Sequence, residues 1–167
     1  MIVVLMGVSG SGKTTIGAAL AARFHWAFAD ADEFHSAQNK QKMAAGNALT
    51  DDERAPWLKN LQQQISGWLA VHQSAVLACS ALKQSYREAL TIHPDVRFVY
   101  LKGSYDLIAP RIRERVSHYA TESLLSSQFA TLEEPRDALT IDINRLIPEI
   151  VDEICLRLNL TAGSHAR

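Results

Sequence analysis

Residues 7 to 14, Gly-Val-Ser-Gly-Ser-Gly-Lys-Thr, spell GxxxxGK[ST] in full, directly behind the apolar run Ile2, Val3, Val4, Leu5, Met6. This pattern holds a nucleoside triphosphate. Glycines at 7, 10 and 12 reach backbone angles closed to other residues, so successive amides can turn inward and ring an anion. The binding candidates are therefore Gly7, Val8, Ser9, Gly10, Ser11, Gly12, Lys13, Thr14 and Thr15. Lys13 brings positive charge to the β and γ phosphates, and Thr14 offers a hydroxyl to Mg²⁺. Ile16, Leu20 and Phe24 follow at helical spacing, so a helix dipole points at the same phosphates.

A second centre begins at Asp30-Ala31-Asp32, where another short apolar run ends. In a parallel sheet, ligands bind beyond the carboxyl ends of the strands, which puts these two acids beside the phosphate loop. If the chain stays extended, alternation points both the same way. One could hold Mg²⁺ or its water while the other accepts the proton of an attacking hydroxyl. The same spelling also serves as a turn and helix-cap signal.

The basic candidates are Lys42, Arg54, Lys83, Arg87, Arg111, Arg113 and Arg115, with His118 behind them. Single cations on helices are ordinarily solvated surface. Lys83 and Arg87 stand apart, because they lie four residues apart at the start of a helix after the third apolar run, placed to grip a carboxylate. Arg111 and Arg115 share that spacing just before the polar stretch Ser117 to Thr121, which suits a lid. An arginine carried over the phosphates stabilises charge on the transferred group and excludes water. Cations at a helix end also satisfy its dipole.

The elements that must position these groups alternate. Short apolar runs at Ile2 to Met6, Ala27 to Asp30, Ala75 to Cys79, Val96 to Leu101 and Leu139 to Asp142 are separated by helical patterns. This predicts an α/β three-layer domain with a five-stranded parallel sheet flanked by helices. Trp57, Leu58, Leu61, Ile65, Trp68 and Leu69 form one helical face, read as core. Thr50 and Glu53 have capping-box spacing. Pro56 then predicts either a short turn over 51 to 54 or a main helix beginning near the proline. A last helix carries Ile147, Ile150, Val151, Ile154, Cys155 and Leu158.

At 167 residues and 47% hydrophobic content, the chain fits one domain, 1 to 160, with a loose tail at 161 to 167. A net charge of −1 with interspersed signs favours a small-molecule substrate, with no nucleic acid and no membrane as partner. Cys79 and Cys155 fit reduced core thiols. The apolar start has no basic residues ahead of it and runs straight into the loop, so it does not read as a leader, and the expected location is cytoplasmic.

Taken together, the motifs resemble the gluconate kinases, a branch of the small P-loop kinases that includes shikimate and adenylate kinases. Besides the loop, the likeness lies in DADEFHSAQNKQKMAAGNALTDDERAPWL from Asp30 to Leu58, CSALKQSYREAL from Cys79 to Leu90, YLKGSYDLI from Tyr100 to Ile108 and SQFATLEEP from Ser127 to Pro135. It implies the P-loop kinase fold with a mobile lid over about 115 to 127, and ATP-dependent phosphorylation of the 6-hydroxyl of D-gluconate with Mg²⁺. It further implies that Asp32 activates the sugar hydroxyl with Asp30 nearer the metal. His35, Arg54, Lys83, Arg87 and His118 would surround the sugar acid, with Arg54 or Arg87 on its carboxylate. Arg111 and Arg115 would face ATP, Arg115 as a catalytic residue beside Lys13 and Asp32. A homodimer is also implied as possible, with the Trp57 to Leu69 helix a candidate face.

The chain departs from the family pattern in three places. Ser36 and Ala48 stand where prolines are usual, and Arg115-Val116-Ser117-His118-Tyr119-Ala120 replaces a lid sequence with glycine before the histidine. Other readings are a kinase for shikimate or another sugar acid, and a non-catalytic nucleotide-binding regulator. A GTPase is disfavoured because there is no NKxD or DxxG; Asn39-Lys40-Gln41-Lys42 lacks the acid.

Overall fold

The computed structural model describes residues 1–114 and 122–161. Five strands, β1 (Ile2–Met6), β2 (Ala27–Asp30), β3 (Ala75–Ala78), β4 (Val96–Lys102) and β5 (Leu139–Asp142), form one sheet in the order β2-β3-β1-β4-β5. Every pairing is parallel. The helices are α1 (Lys13–Phe24), α2 (Ala37–Ala44), α3 (Asp51–Ala70), α4 (Gln84–Leu90), α5 (Tyr105–Arg113), α6 (Glu122–Thr131) and α7 (Ile147–Arg157).

Strand β1 is buried throughout, and its alternation divides the core in two. Val3 and Leu5 face α1, α5 and α7 through Ile16, Leu20, Ile108, Ile112, Ile150 and Ile154. Ile2, Val4 and Met6 face α3 through Trp57, Leu61, Ile65 and Trp68. These are the two interfaces of a three-layer domain, and they explain why β1 and β3 are continuously apolar. The α3 stripe packs into the chain's own core, with Leu58 and Leu69 partly buried at its margin. Cys79 and Cys155 are free and buried, and burial pushes the Cys79 thiol up to about 12.

Neither expectation for Pro56 holds. Helix α3 begins at Asp51 and runs through the proline without a break, behind a complete capping box between Thr50 and Glu53. A proline at the sixth position removes only the bond its amide would have given to Asp52 O, and on this exposed face water can take that place. Pro110 occupies the same position in α5. At the other end of the likeness, Ser36 compensates for the missing proline: its hydroxyl accepts from Asn39 N at 3.1 Å and caps α2.

The reversal of strand order at β1 places the phosphate loop where chain connections leave to opposite sides, the usual ligand crevice of such sheets. Residues 122–127 of the expected lid are the first part of α6; residues 115 to 121, with Arg115 and His118, and most of the expected tail lie outside the described residues.

Gly103, between β4 and α5, is fixed by close approach. A Cβ there would stand 2.7 Å from Ile143 Cδ1 and 2.8 Å from its Cγ1, and Ile143 is fully packed. Gly103→Ala is expected to destabilise the fold by about 1–3 kcal/mol through overpacking, measured as a lower urea midpoint with an unchanged slope.

Candidate active site

The loop between β1 and α1 takes the left-handed backbone its spelling requires, with φ of 80° at Gly10 and 91° at Gly12. Helix α1 opens at Lys13, directly on the loop. The Lys13 ammonium donates to the carbonyls of Gly7 and Val8, both at 2.9 Å, arching over the cradle. Gln128 of α6 reaches the same loop: Ser9 N donates to its Oε1 at 2.6 Å, and its Nε2 donates to Ser9 Oγ at 3.2 Å.

Asp30 and Asp32 meet this loop differently from the extended expectation. The chain leaves β2 at Asp30 and winds at once into a 3-10 turn over Ala31–Phe34, which Asp30 caps by accepting from Asp32 N at 3.1 Å. The cap reading and the site reading are both satisfied, because the other Asp30 oxygen accepts from Thr14 Oγ1 at 2.7 Å. Register accounts for the meeting, since Asp30 is level with Ala78 of β3 and, through it, with Leu5 of β1. Thr14 and Asp30 thus present adjacent hard oxygens, a donor set that suits Mg²⁺. Among the described residues no group of three or more His, Cys, Asp or Glu could hold a metal.

Asp32 is open to solvent on one side, yet the protein packed around it strips enough solvation to raise its pKa. The Asp30 charge pushes the same way, and Lys13 and Lys40 oppose both. A carboxylate with raised proton affinity is better matched to taking a proton from an alcohol.

His35 follows the turn and is 8% exposed. Its ring stacks on Trp57 with centroids 4.6 Å apart and an interplanar angle of 7°, while Trp57 Nε1 donates to Ala31 O at 2.7 Å. Burial, then the charges of Arg54 and Lys40, push the imidazole down to about 4, and its Nδ1 is buried without a partner. His35 is neutral at physiological pH.

The basic candidates separate into two roles. Lys83 Nζ donates to both oxygens of Asp51, at 2.8 and 2.7 Å, and the Tyr86 hydroxyl donates to Asp51 Oδ1. Arg54 joins this group through Tyr86 Oη at 3.3 Å and stands 3.9 Å from Asp51. The cluster spans the first turn of α3 and the start of α4, and Arg54 also donates to Leu49 O at 2.5 Å. Arg87 is 4% exposed and turned inward: its guanidinium donates to the carbonyls of Ala81 and Leu82, each at 3.0 Å, and to Gln84 Oε1. It stabilises the turn between β3 and α4. Arg111 donates to Ile143 O at 3.2 Å, tying α5 to the end of β5. Lys42 pairs with Glu53 at 2.8 Å, and Asn39 Nδ2 donates to Glu53 O at 2.9 Å, clasping α2 to α3.

Asp51, Tyr86 and Gln128 were not singled out by sequence reasoning. Asp51 is masked by its helix-start context, where an acid needs no further reason. Tyr86 falls at a core-like helical position, and Gln128 carries no charge or motif of its own.

The shikimate kinase family profile matches residues 9–154. A probable gluconokinase of Xenopus tropicalis is 41% identical over 92% of this chain and 91% of its own length. The thermoresistant gluconokinase of Escherichia coli K12 is 40% identical over 90% of this chain and 89% of its own. Among solved structures, a gluconokinase from Sinorhizobium meliloti 1021 superposes with a TM-score of 0.84 at 38% identity, covering 97% of this chain and 93% of that one. A shikimate kinase from Aquifex aeolicus shares the fold at 17% identity, with a TM-score of 0.58 over 95% of this chain and 96% of that one.

Below the ordinary imidazole pKa near 6.5, an unfolded chain protonates His35 while the native one does not until about pH 4. The native state binds fewer protons in that window, so stability falls as pH falls through it, by up to about 3 kcal/mol. His35→Phe keeps a ring on Trp57 and removes the titration; urea unfolding across pH 4 to 7 is expected to show a shallower decline in the variant.

Proposed function

Given that the chain belongs to the gluconokinase family of P-loop kinases, we propose that its loop and carboxylates carry out one reaction, transfer of the γ-phosphoryl group of ATP to the 6-hydroxyl of D-gluconate. The products are ADP and 6-phospho-D-gluconate. The observation that carries this reading is likeness to gluconokinases at about 40% identity over nine-tenths of the chain. The geometry supports it by bringing an anion cradle, a paired acid and a basic cluster to one sheet edge.

Lys13, the loop amides and the α1 dipole hold the triphosphate, and Arg111 and Arg115 are read as facing the nucleotide. Thr14 and Asp30 are the residues that would hold Mg²⁺, which when bound neutralises charge on the phosphates. Asp32 orients the acceptor hydroxyl and takes its proton as the oxygen attacks. Catalysis is mostly positioning and charge stabilisation.

For the acceptor, Arg54 and Lys83 are read as the groups that receive the sugar acid's carboxylate, which would compete with Asp51 for Lys83 and with Leu49 O for Arg54; His35 is a neutral neighbour and His118 is assigned by resemblance. The engaged guanidinium of Arg87 makes it a support of that site. No described helix is long and apolar enough to cross a membrane, in keeping with a small-molecule kinase of the cytoplasm, and a homodimer is proposed from resemblance alone. Shikimate is the second acceptor to test, because the matching family profile is that of shikimate kinase.

Purified protein with ATP, Mg²⁺ and millimolar gluconate is expected to form ADP and 6-phosphogluconate, with far slower turnover on shikimate. Equal or greater turnover on shikimate would reassign the acceptor. Asp32→Asn is expected to lower kcat by roughly 10²–10⁴-fold while calorimetry still finds ATP bound.

The two arginines separate cleanly. Arg54→Met is expected to raise the gluconate KM about tenfold or more with the ATP KM unchanged. Arg87→Met instead lowers stability by about 2–4 kcal/mol, because two turn carbonyls lose their donor.

A further inference from the structure

We infer that Gln128 is a positioning residue of the donor site, holding Ser9 of the phosphate loop in the geometry that transfer from ATP requires. The inference rests on the reading of this loop as the ATP site. A phosphate loop works by aiming amides before the ligand arrives, so anything that fixes peptide orientation in it acts on the reaction. At Ser9 that fixing is done from outside the loop. One primary amide engages two polar groups of a single residue, accepting from Ser9 N at 2.6 Å and donating to Ser9 Oγ at 3.2 Å, across 119 positions of chain. A two-point contact of this kind sets rotation as well as distance.

The element that carries Gln128 is itself held. Leu125 of α6 is fully buried. The Phe129 ring lies against Tyr105 of α5 with centroids 5.8 Å apart, and Ser126 Oγ is 3.5 Å from the Tyr105 hydroxyl. Helix α5 then touches the next loop residue: a Cβ on Gly10 would stand 2.8 Å from Ile108 Cγ2 and 2.9 Å from Ile112 Cγ1. Ser9 is thus braced by hydrogen bonds and Gly10 by van der Waals contact, from one helix pair. With its N–H engaged by Gln128, Ser9 leaves phosphate coordination to the amides after it.

Gln128→Met keeps side-chain length and packing and removes both hydrogen bonds. It is expected to lower kcat about tenfold and weaken ATP several-fold, with the gluconate KM within twofold of wild type and an unchanged melting temperature. In a double-mutant cycle with Ser9→Ala, the double variant is expected to be no worse than Gln128→Met alone. A kcat within twofold of wild type overturns the proposal, and so do losses that multiply in the double variant, which would place the action of Gln128 elsewhere. Absence of turnover in the wild type would overturn the gluconate reading instead. ATP affinities of the same variants, measured without acceptor, then decide the role of Gln128 by the same twofold criterion.

Discussion

Strand β1 is paired on both edges and buried on both faces, and that double confinement governs the loop and helices attached to it. Its backbone amides are committed to β3 and β4 and its side chains to two separate cores, so the strand cannot drift or slip in register. The chain must therefore leave the sheet abruptly after Met6. It does so through a tight loop packed against α5, and the anion cradle inherits the rigidity of the most buried element in the protein. A loop hung from an edge strand would have to be ordered by its ligand.

The parallel sheet extends this constraint to the acceptor side. Strands β2 and β3 end level with β1, so the turns beyond them emerge beside the loop. The 3-10 turn carries Asp32 and leads into His35, and the turn held by Arg87 ends at Lys83, with Tyr86 in the first turn of α4. Helix α3 bridges these turns, stacking Trp57 on His35 and bringing Arg54 to Tyr86. Each functional side chain is within a few residues of an element end that the core has already fixed.

Much of this was legible in sequence because it is written in local chemistry. The loop spelling, the five apolar runs and the Thr50/Glu53 box each depend on residues close in the chain, and all appear in the structure. The exceptions are instructive. Asp30 could be read as cap or as metal neighbour, and it is both, because a carboxylate has two oxygens and the turn uses one. Pro56 sits within α3 because the one bond it removes lies on the exposed face, which the local pattern does not report. The contacts of Asp51 with Lys83 and of Gln128 with Ser9 join residues distant in sequence, and only the strand order brings them together. Spacing put Lys83 and Arg87 on one helix face, but it does not report that Lys83 pairs with Asp51 or that Arg87 donates inward to Ala81, Leu82 and Gln84.

The clasp between α2 and α3 has a consequence of its own. Glu53 accepts from Lys42 through both carboxylate oxygens and from Thr50 N, and its carbonyl accepts from Asn39. The Lys42 ammonium, with the Thr50 amide second, pushes the Glu53 carboxyl down to about 2, so the joint is an ion pair at neutral pH. Residues on either side of the 45–50 connection are consequently tied together by this ion pair and by the Asn39 contact. Arg54 stands in α3 one residue after Glu53, so the clasp that fixes α2 also fixes the start of the helix face that carries the arginine.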